Sequence, residues 1–476
     1  MRQNVSFTLS EIIQATGGER FSGTPDLCFA GISIDSRTAL SSDLFVAIVG
    51  EKLDGHDFIR QAINGGVRGI LIDKEHAGIF SYARMAKLEL GCVVVPDTTV
   101  ALGRIANRFR KGFDVSVVAI TGSNGKTTTK EMTAAVLSAK YKTHKSGGNH
   151  NNQIGLPFTL LGLQPWHQWA VVELGMNHPG EIAQLTQICE PDIGVITNVG
   201  PGHLEGLGSV EGVLAAKGEL LDNMDNKIAV LNLDDKRVAS LAEKFPGKTV
   251  LFGKGARAQV RAKNVRQTPE GIRFILCVLD SELPVQLHFH GDCMVNNALA
   301  AAAVGVIAGV APEAIRDALE KVTPVKGRQN VFSLPNKVQV IDDTYNANPA
   351  SFEAAIQTLK ALAKADKGRM ILVASDMMEL GEHSVDAHMA LGKWAADAGV
   401  SLLYVTGYYA GWTAKGAREA GMKKSQVIID EKQNIVTRII PEFREKDWVL
   451  VKGSRSTGMN EVVEGLKEAF PCQNII

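Results

Sequence analysis

The run Thr121-Gly-Ser-Asn-Gly-Lys-Thr-Thr128 follows directly on the apolar stretch Val117–Ile120. Gly122 and Gly125 permit close backbone approach to an anion. Loop N–H groups, and a helix starting near Lys126, can face that anion. Lys126 supplies a point charge for β- and γ-phosphate oxygens, and the Thr127 hydroxyl can ligate Mg²⁺. The common phosphate loop, G-x-x-x-x-G-K-[ST], needs a glycine five positions before Gly125. This chain has Ile120 there, and its other glycine lies only three positions before. The stretch predicts a nucleoside triphosphate held on a shortened loop. Alone it predicts no reaction.

Other polar residues sit at the ends of apolar runs. Glu173 closes Ala170–Leu174, where a carboxylate in an open α/β sheet points into the ligand crevice. It could hold a second hard cation, or pair with a structural lysine or arginine. His203 follows a Gly-Pro-Gly turn at the same sheet edge and reads equally as a structural histidine. Lys217 stands among alanines on a helical stretch, where solvation is the ordinary fate of a lysine. Asp342 and Asp343 end the run Val338–Asp343 before an Asn/Pro loop, and Lys452, Ser454 and Arg455 end another. These groups could face one another across a cleft that closes on a nucleotide.

The elements that position them form two α/β series. Ala170–Leu174, Ile193–Val199 and Ile228–Leu233 join Val117–Ile120 as buried strands, each followed by helical spacing. Val338–Asp343, Arg369–Ser375, Ser401–Gly407 and Asp447–Ser454 make the second series. That alternation predicts mainly parallel sheets covered by helices. A short mixed unit precedes them, with strand candidates Gly31–Arg37 and Leu44–Gly50. Thr323–Asn330 carries Pro, Gly and charge and reads as a hinge. The expected domains are therefore 1–96, 97–323 and 324–476.

Composition narrows the class. The 476 residues hold 51 basic and 51 acidic side chains, 45% hydrophobic and 21% charged. A chain with no basic excess is a poor candidate for general nucleic-acid binding. The cysteines, Cys28, Cys92, Cys189, Cys277, Cys293 and Cys472, show no C-x-x-C spacing, so a reducing compartment is expected. The N-terminus lacks the layout of a signal peptide. Ala298–Val310 is too short to cross a bilayer and suits a tightly packed buried helix. A cytoplasmic protein is expected.

Taken together, these stretches resemble the Mur ligase family, the ATP-dependent amide ligases of peptidoglycan assembly. The family's short loop has the form T-G-[ST]-x-G-K-T-T, which Thr121–Thr128 matches. The resemblance spans essentially the whole chain. It implies a small mixed α/β N-terminal domain, a central P-loop-type ATPase domain and a Rossmann-like C-terminal domain. The words Ile341–Phe352, Asn177–Ile182, Asp376–Glu382 and Val451–Met459 resemble the branch that adds D-alanyl-D-alanine to UDP-N-acetylmuramoyl-tripeptide. The diaminopimelate-adding branch carries a D-N-P-R word that this chain lacks.

The resemblance also implies roles. Gly122, Ser123, Asn124, Gly125, Lys126, Thr127 and Thr128 would form the ATP phosphate site, with Asn297, Arg328 and Asp343 as further nucleotide contacts. Thr127 and Glu173 would hold one Mg²⁺. His203 and Lys217 would belong to a second, with Lys217 carbamylated. Lys126, His203 and Lys217 are the catalytic candidates. Ser36 and Arg37 would grip the UDP moiety, and Asn346 and Asn348 would lie in the substrate cleft. A carboxylate is a poor electrophile, so the γ-phosphoryl would first move onto the tripeptide's carboxylate. The dipeptide amine would then attack the acyl phosphate, with His203 or a carboxylate as base. A monomer is expected. One departure stands out: Ser375 replaces a glycine common before the aspartate at this point, so the local turn could differ. Two rival readings remain at this stage, a sibling ligase with another amine acceptor and a nucleotide switch without ligase activity.

Overall fold

The computed structural model describes residues 6–79, 85, 87–225, 227–268 and 270–470. Cys472 and the first five residues lie outside them. Three large sheets divide the chain, with a two-stranded one, Phe7–Thr8 against Cys28–Phe29, beside the first.

The N-terminal sheet has five strands in the order Glu19–Ser22, Gly91–Val95, Gly69–Asp73, Asp43–Val46, Gly31–Ser33. Only the first pair is antiparallel. After Val95 the chain enters a helix, Thr98–Arg110, whose first amides donate to the Asp97 carboxylate. A capping carboxylate there satisfies donors that no helical carbonyl can reach.

The central sheet has nine strands. Its heart is β1 (Ser116–Thr121), flanked by β2 (Trp169–Glu173) and β3 (Ile193–Ile196), both parallel to it. All five residues from Val117 to Thr121 are buried, as a strand covered on both faces must be. Helix α1 (Lys126–Ser138) leaves the loop after β1, and α2 (Val210–Asp222) follows β3. The sheet continues through Ile228–Asn232 and Lys248–Gly253. It then turns antiparallel in Val260–Thr268, Gly271–Val278 and Ser281–Leu287. That extension has no counterpart among the strands expected from the sequence.

The alanine-rich stretch forms α3 (Cys293–Ile307), buried along almost its whole length. Its small side chains let it lie close against α1. A Cβ on Gly305 would stand 2.5 Å from Val136 Cγ1, so nothing larger than glycine fits there. No described helix is long and apolar enough to cross a membrane.

The C-terminal sheet has six strands. The hairpin partner Asn330–Ser333 is antiparallel to β4 (Gln339–Asp343), and β5 (Trp448–Lys452) lies between β4 and Met370–Ala374. Helix α4 (Pro349–Asp366) begins with Asn348 as cap and proline at its first turn. The mainly parallel three-domain α/β fold matches the expectation. The strands expected in the two α/β series also fall where the apolar runs lie, whereas the N-terminal candidates Gly31–Arg37 and Leu44–Gly50 shorten to Gly31–Ser33 and Asp43–Val46.

Candidate active site

β1, β2, β4 and β5 all deliver their C-terminal ends to one cleft of about 1230 Å³. Its walls come from all three sheets: Val49–Glu51 from the first, the phosphate loop and Glu173 from the second, Asp343 and Lys452 from the third.

The loop Gly122–Gly125 is fixed by its neighbours. Ser123 N donates to Asn198 O at 3.0 Å, and Asn124 N donates to Asn198 Oδ1 at 2.9 Å. Thr197 Oγ1 donates to Asn124 O at 2.7 Å. Gly125 has φ of 82°, and a Cβ there would lie 2.3 Å from Asn297 Oδ1. Conformation and space therefore both demand glycine. No side chain caps α1, so its first amides remain directed at the loop's concave side. Lys126 Nζ donates to Gly122 O at 2.8 Å. Burial lowers its pKa, with Glu173 opposing that shift.

Glu173 is buried, and neither of its oxygens meets a lysine or arginine in an ion pair among the described residues. Oε2 accepts from Thr127 Oγ1 at 2.9 Å and Oε1 from Asn151 Nδ2 at 2.9 Å. Arg328 Nη2 donates to Thr127 Oγ1 at 3.0 Å, and the guanidinium carbon lies 3.8 Å from the Tyr345 ring centroid. A hydroxyl and a carboxylate touching at the foot of a phosphate loop are hard oxygen donors of the kind Mg²⁺ takes.

His203 stands in the left-handed region, φ 58°, with Nδ1 2.6 Å from Glu379 Oε2. Glu379 is left-handed as well, φ 63°. Two non-glycine residues held so, facing each other from two domains, are characteristic of a constrained site. The His203 contact holds the Glu379 carboxyl below its ordinary range.

Lys217 overturns the solvated reading taken from its residue type. It is 1% exposed on α2, because this face of the helix packs inward. No hydrogen bond or ion pair to its ammonium occurs among the described residues. Burial, and secondarily the Lys126 charge, push its pKa well down. It does not line the cleft.

Other expected residues divide. Ser123, Thr128, Asn297, Arg328, Asp343, Asn346 and Asn348 line the cleft. Asp343 is engaged by Lys452 Nζ at 2.6 Å, and that ammonium also donates to Asn346 O at 2.9 Å. Asn348 Nδ2 donates to Asn124 Oδ1 at 2.9 Å, so the cap of α4 touches the phosphate loop. Ser36 and Arg37 stand apart from the cleft wall. Ser36 Oγ donates to Gln61 Oε1 at 3.0 Å, and exposed Arg37 pairs with Asp35 at 2.7 Å. Ser375 keeps an ordinary backbone, outside the positive-φ region, so this position does not require glycine's freedom. The Asp376 carboxylate beside it accepts the Tyr408 and Tyr409 amides at 2.7 and 3.0 Å.

Sequence reasoning missed Asn151, Asn198 and Glu379. Asn151 had a signal, the asparagine run after Gly147-Gly148 and before a helix. Glu379 lay in a word noted for its resemblance but not for its chemistry.

Three family models match in succession. The Mur ligase family catalytic domain covers residues 29–110, the Mur ligase middle domain 120–305, and the Mur ligase glutamate ligase domain 327–455. The UDP-N-acetylmuramoyl-tripeptide–D-alanyl-D-alanine ligase of Escherichia coli is 36% identical over 98% of this chain and 100% of its own. The Bacillus subtilis ligase of the same name is 32% identical over 92% and 93%. The crystal structure of MurF from Acinetobacter baumannii superposes with a TM-score of 0.88 at 32% identity, covering 98% of this chain and 100% of that one. MurF from Thermotoga maritima, solved with ADP, gives 0.80 at 28% identity, covering 92% and 97%.

Proposed function

The chain belongs to the Mur ligase family, and on that premise we propose that it joins D-alanyl-D-alanine to UDP-N-acetylmuramoyl-tripeptide with ATP. The observation that carries this reading is the full-length similarity to ligases of that name, on a cleft to which all three domains contribute. The products are the UDP-N-acetylmuramoyl-pentapeptide, ADP and phosphate. The domains meet near residues 96/97 and 323/324, and the enzyme works as a cytoplasmic monomer.

Chemistry follows from the residues. The amides of Gly122–Gly125 and the start of α1 bind the phosphates, and Lys126 leaves Gly122 O to meet the γ-phosphoryl group. Arg328, stacked on Tyr345, closes the site from the C-terminal domain. Thr127 and Glu173 would hold one Mg²⁺, which when bound neutralises charge on the transferring group. His203 and Lys217 would belong to a second Mg²⁺ site, and an ammonium, having no lone pair, cannot be a ligand there. Lys217 is buried, without a hydrogen-bond or ion-pair partner among the described residues, and its pKa is pushed down, which favours the neutral amine that can add carbon dioxide and become an anionic carbamate. His203 and Glu379, 2.6 Å apart, are the pair in the cleft that can share the proton of the incoming amine. Domain closure excludes water from the acyl phosphate. Ser36 and Arg37 reach the UDP moiety from the N-terminal domain.

The test is phosphate release by the purified protein with ATP, Mg²⁺ and UDP-N-acetylmuramoyl-tripeptide, with and without D-alanyl-D-alanine. Release that depends on the dipeptide, with a product heavier by one dipeptide less water, is expected. Dependence on another amine instead would make it a sibling ligase. Nucleotide hydrolysis indifferent to any amine would refute the ligase reading.

A further inference from the structure

Asp54, His56, Asp73 and His76 gather in the N-terminal domain, outside the groups the ligase chemistry uses. Asp54 caps the short helical turn Gly55–Phe58, and Asp73 ends the strand Gly69–Asp73. Gly55 is forced here, since a Cβ would stand 2.6 Å from Ile48 N. The two imidazoles stack with centroids 3.8 Å apart and planes 10° from parallel, so one ring must turn before a nitrogen of each can meet a common ion in its plane. His56 Nδ1 is 2.7 Å from Asp54 Oδ1, and His76 Nε2 is 3.3 Å from Asp54 Oδ2. Ligand atoms of Asp54, His56 and His76 all fall within 4.8 Å of one another.

We propose that Asp54, His56 and His76 bind one divalent transition-metal ion of the zinc type, with Asp73 as the outer carboxylate that orients His76. With zinc bonds of roughly 2.0–2.1 Å, tetrahedral neighbours sit about 3.3 Å apart, and the Asp54–His76 contact already has that length. The outer arrangement is that of a ligating histidine. His76 Nδ1 is 2.7 Å from Asp73 Oδ1, and His56 Nε2 is 3.6 Å from Asp73 Oδ2. Carboxylates so placed fix the tautomer and strengthen the ligand. The Asp73 amide donates to His56 Nε2 at 3.3 Å, so coordination through His56 Nδ1 must break that bond, moving the ring's proton to Nε2 and turning it toward the Asp73 carboxylate. Charge favours a cation, because among the described residues no lysine or arginine pairs with Asp54 or Asp73. Three protein ligands leave a fourth position for water.

The ion would stiffen the edge of the catalytic cleft. Asp54 closes a small loop through its bridge to Val49 and the bond from Gly50 N to Leu53 O at 2.9 Å. Val49, Gly50 and Glu51, at the far side of that loop, line the cleft.

The test is a Co²⁺ titration of chelator-stripped full-length protein in excess Mg²⁺, which keeps the hard-oxygen sites filled. The expected result is a tetrahedral-type visible band saturating at one ion per chain and displaced by Zn²⁺. His76→Gln, at a partly exposed position, should abolish the band while nucleotide binding persists. Asp73→Asn should weaken Co²⁺ binding about 10–100-fold. A wild-type protein without the band, or a band kept in His76→Gln, would overturn the proposal. A band lost instead in Glu173→Gln would place the ion in the cleft and overturn it equally.

Discussion

Lys452, at the end of β5, and Lys217, on α2, are each 1% exposed, one in the C-terminal domain and one in the central domain. Lys452 has an aspartate at 2.6 Å, a carbonyl at 2.9 Å and the Phe352 ring 5.5 Å away. Lys217 has no such company, and its nearest electrostatic influence is another lysine. Desolvation of an ammonium costs several kcal/mol unless it is repaid by partners. Lys452 is engaged by a carboxylate and a carbonyl, and it fastens the Asn/Pro loop to β4 and β5. For Lys217, burial without a partner pushes the pKa well down. Burial alone therefore does not separate a structural lysine from a reactive one; the groups around the nitrogen do.

The comparison can be broken at several points. The largest effect belongs to Lys126, the charge that weighs on Lys217: Lys126→Ala should lower kcat by about 10³-fold or more, read as dipeptide-dependent phosphate release. Near-normal turnover would remove it from the phosphate site. Next comes carbon dioxide. Its exhaustive removal should reduce activity about 10²-fold, and bicarbonate should restore it through Lys217. A free amine on Lys217 in the active enzyme, seen by mass or in a density map, would refute the carbamate.

Stability should then separate the two lysines by sign. Lys452→Met strands Asp343 and should cost about 3–5 kcal/mol in denaturant unfolding, whereas Lys217→Met should be neutral or stabilising. Equal losses would erase the distinction. A smaller effect concerns pH. Because His203 lowers the Glu379 pKa, this pair's stabilisation is complete above the ordinary glutamate range and fades as the pH falls through the lowered value. Glu379→Gln should flatten that acid limb of the melting curve, and an unaltered limb would deny the coupling. The smallest change is expected at Arg37, whose exposed pair with Asp35 is screened by solvent and contributes little to stability. Arg37→Ala should leave the melting temperature nearly unchanged yet raise KM for the UDP substrate and not for ATP. An unchanged KM would take Arg37 out of the site.

Much of the scaffold was legible in the sequence because long apolar runs ending in Gly, Asp or Asn leave few alternatives. Val117–Ile120 could hardly be anything but a buried strand. The phosphate loop was legible because its chemistry is local. What stayed hidden depends on packing between distant segments. Nothing in the alanines beside Lys217 tells which face of α2 turns inward. Asp343 looks free until Lys452 arrives from 109 residues away. Glu379 meets His203 only because both take a left-handed backbone, which the local sequence does not announce.

The contacts that already cross the cleft carry a further consequence. Asn124–Asn348, Thr127–Arg328 and His203–Glu379, together with Lys126–Gly122 inside the phosphate loop, involve groups that phosphates and metal would claim. Nucleotide arrival is then a swap of partners, bond for bond, more than a gain of new ones. Calorimetry should record a modest heat for so many contacts. Mutants that weaken a resident contact should bind nucleotide more tightly, in proportion to the competition removed.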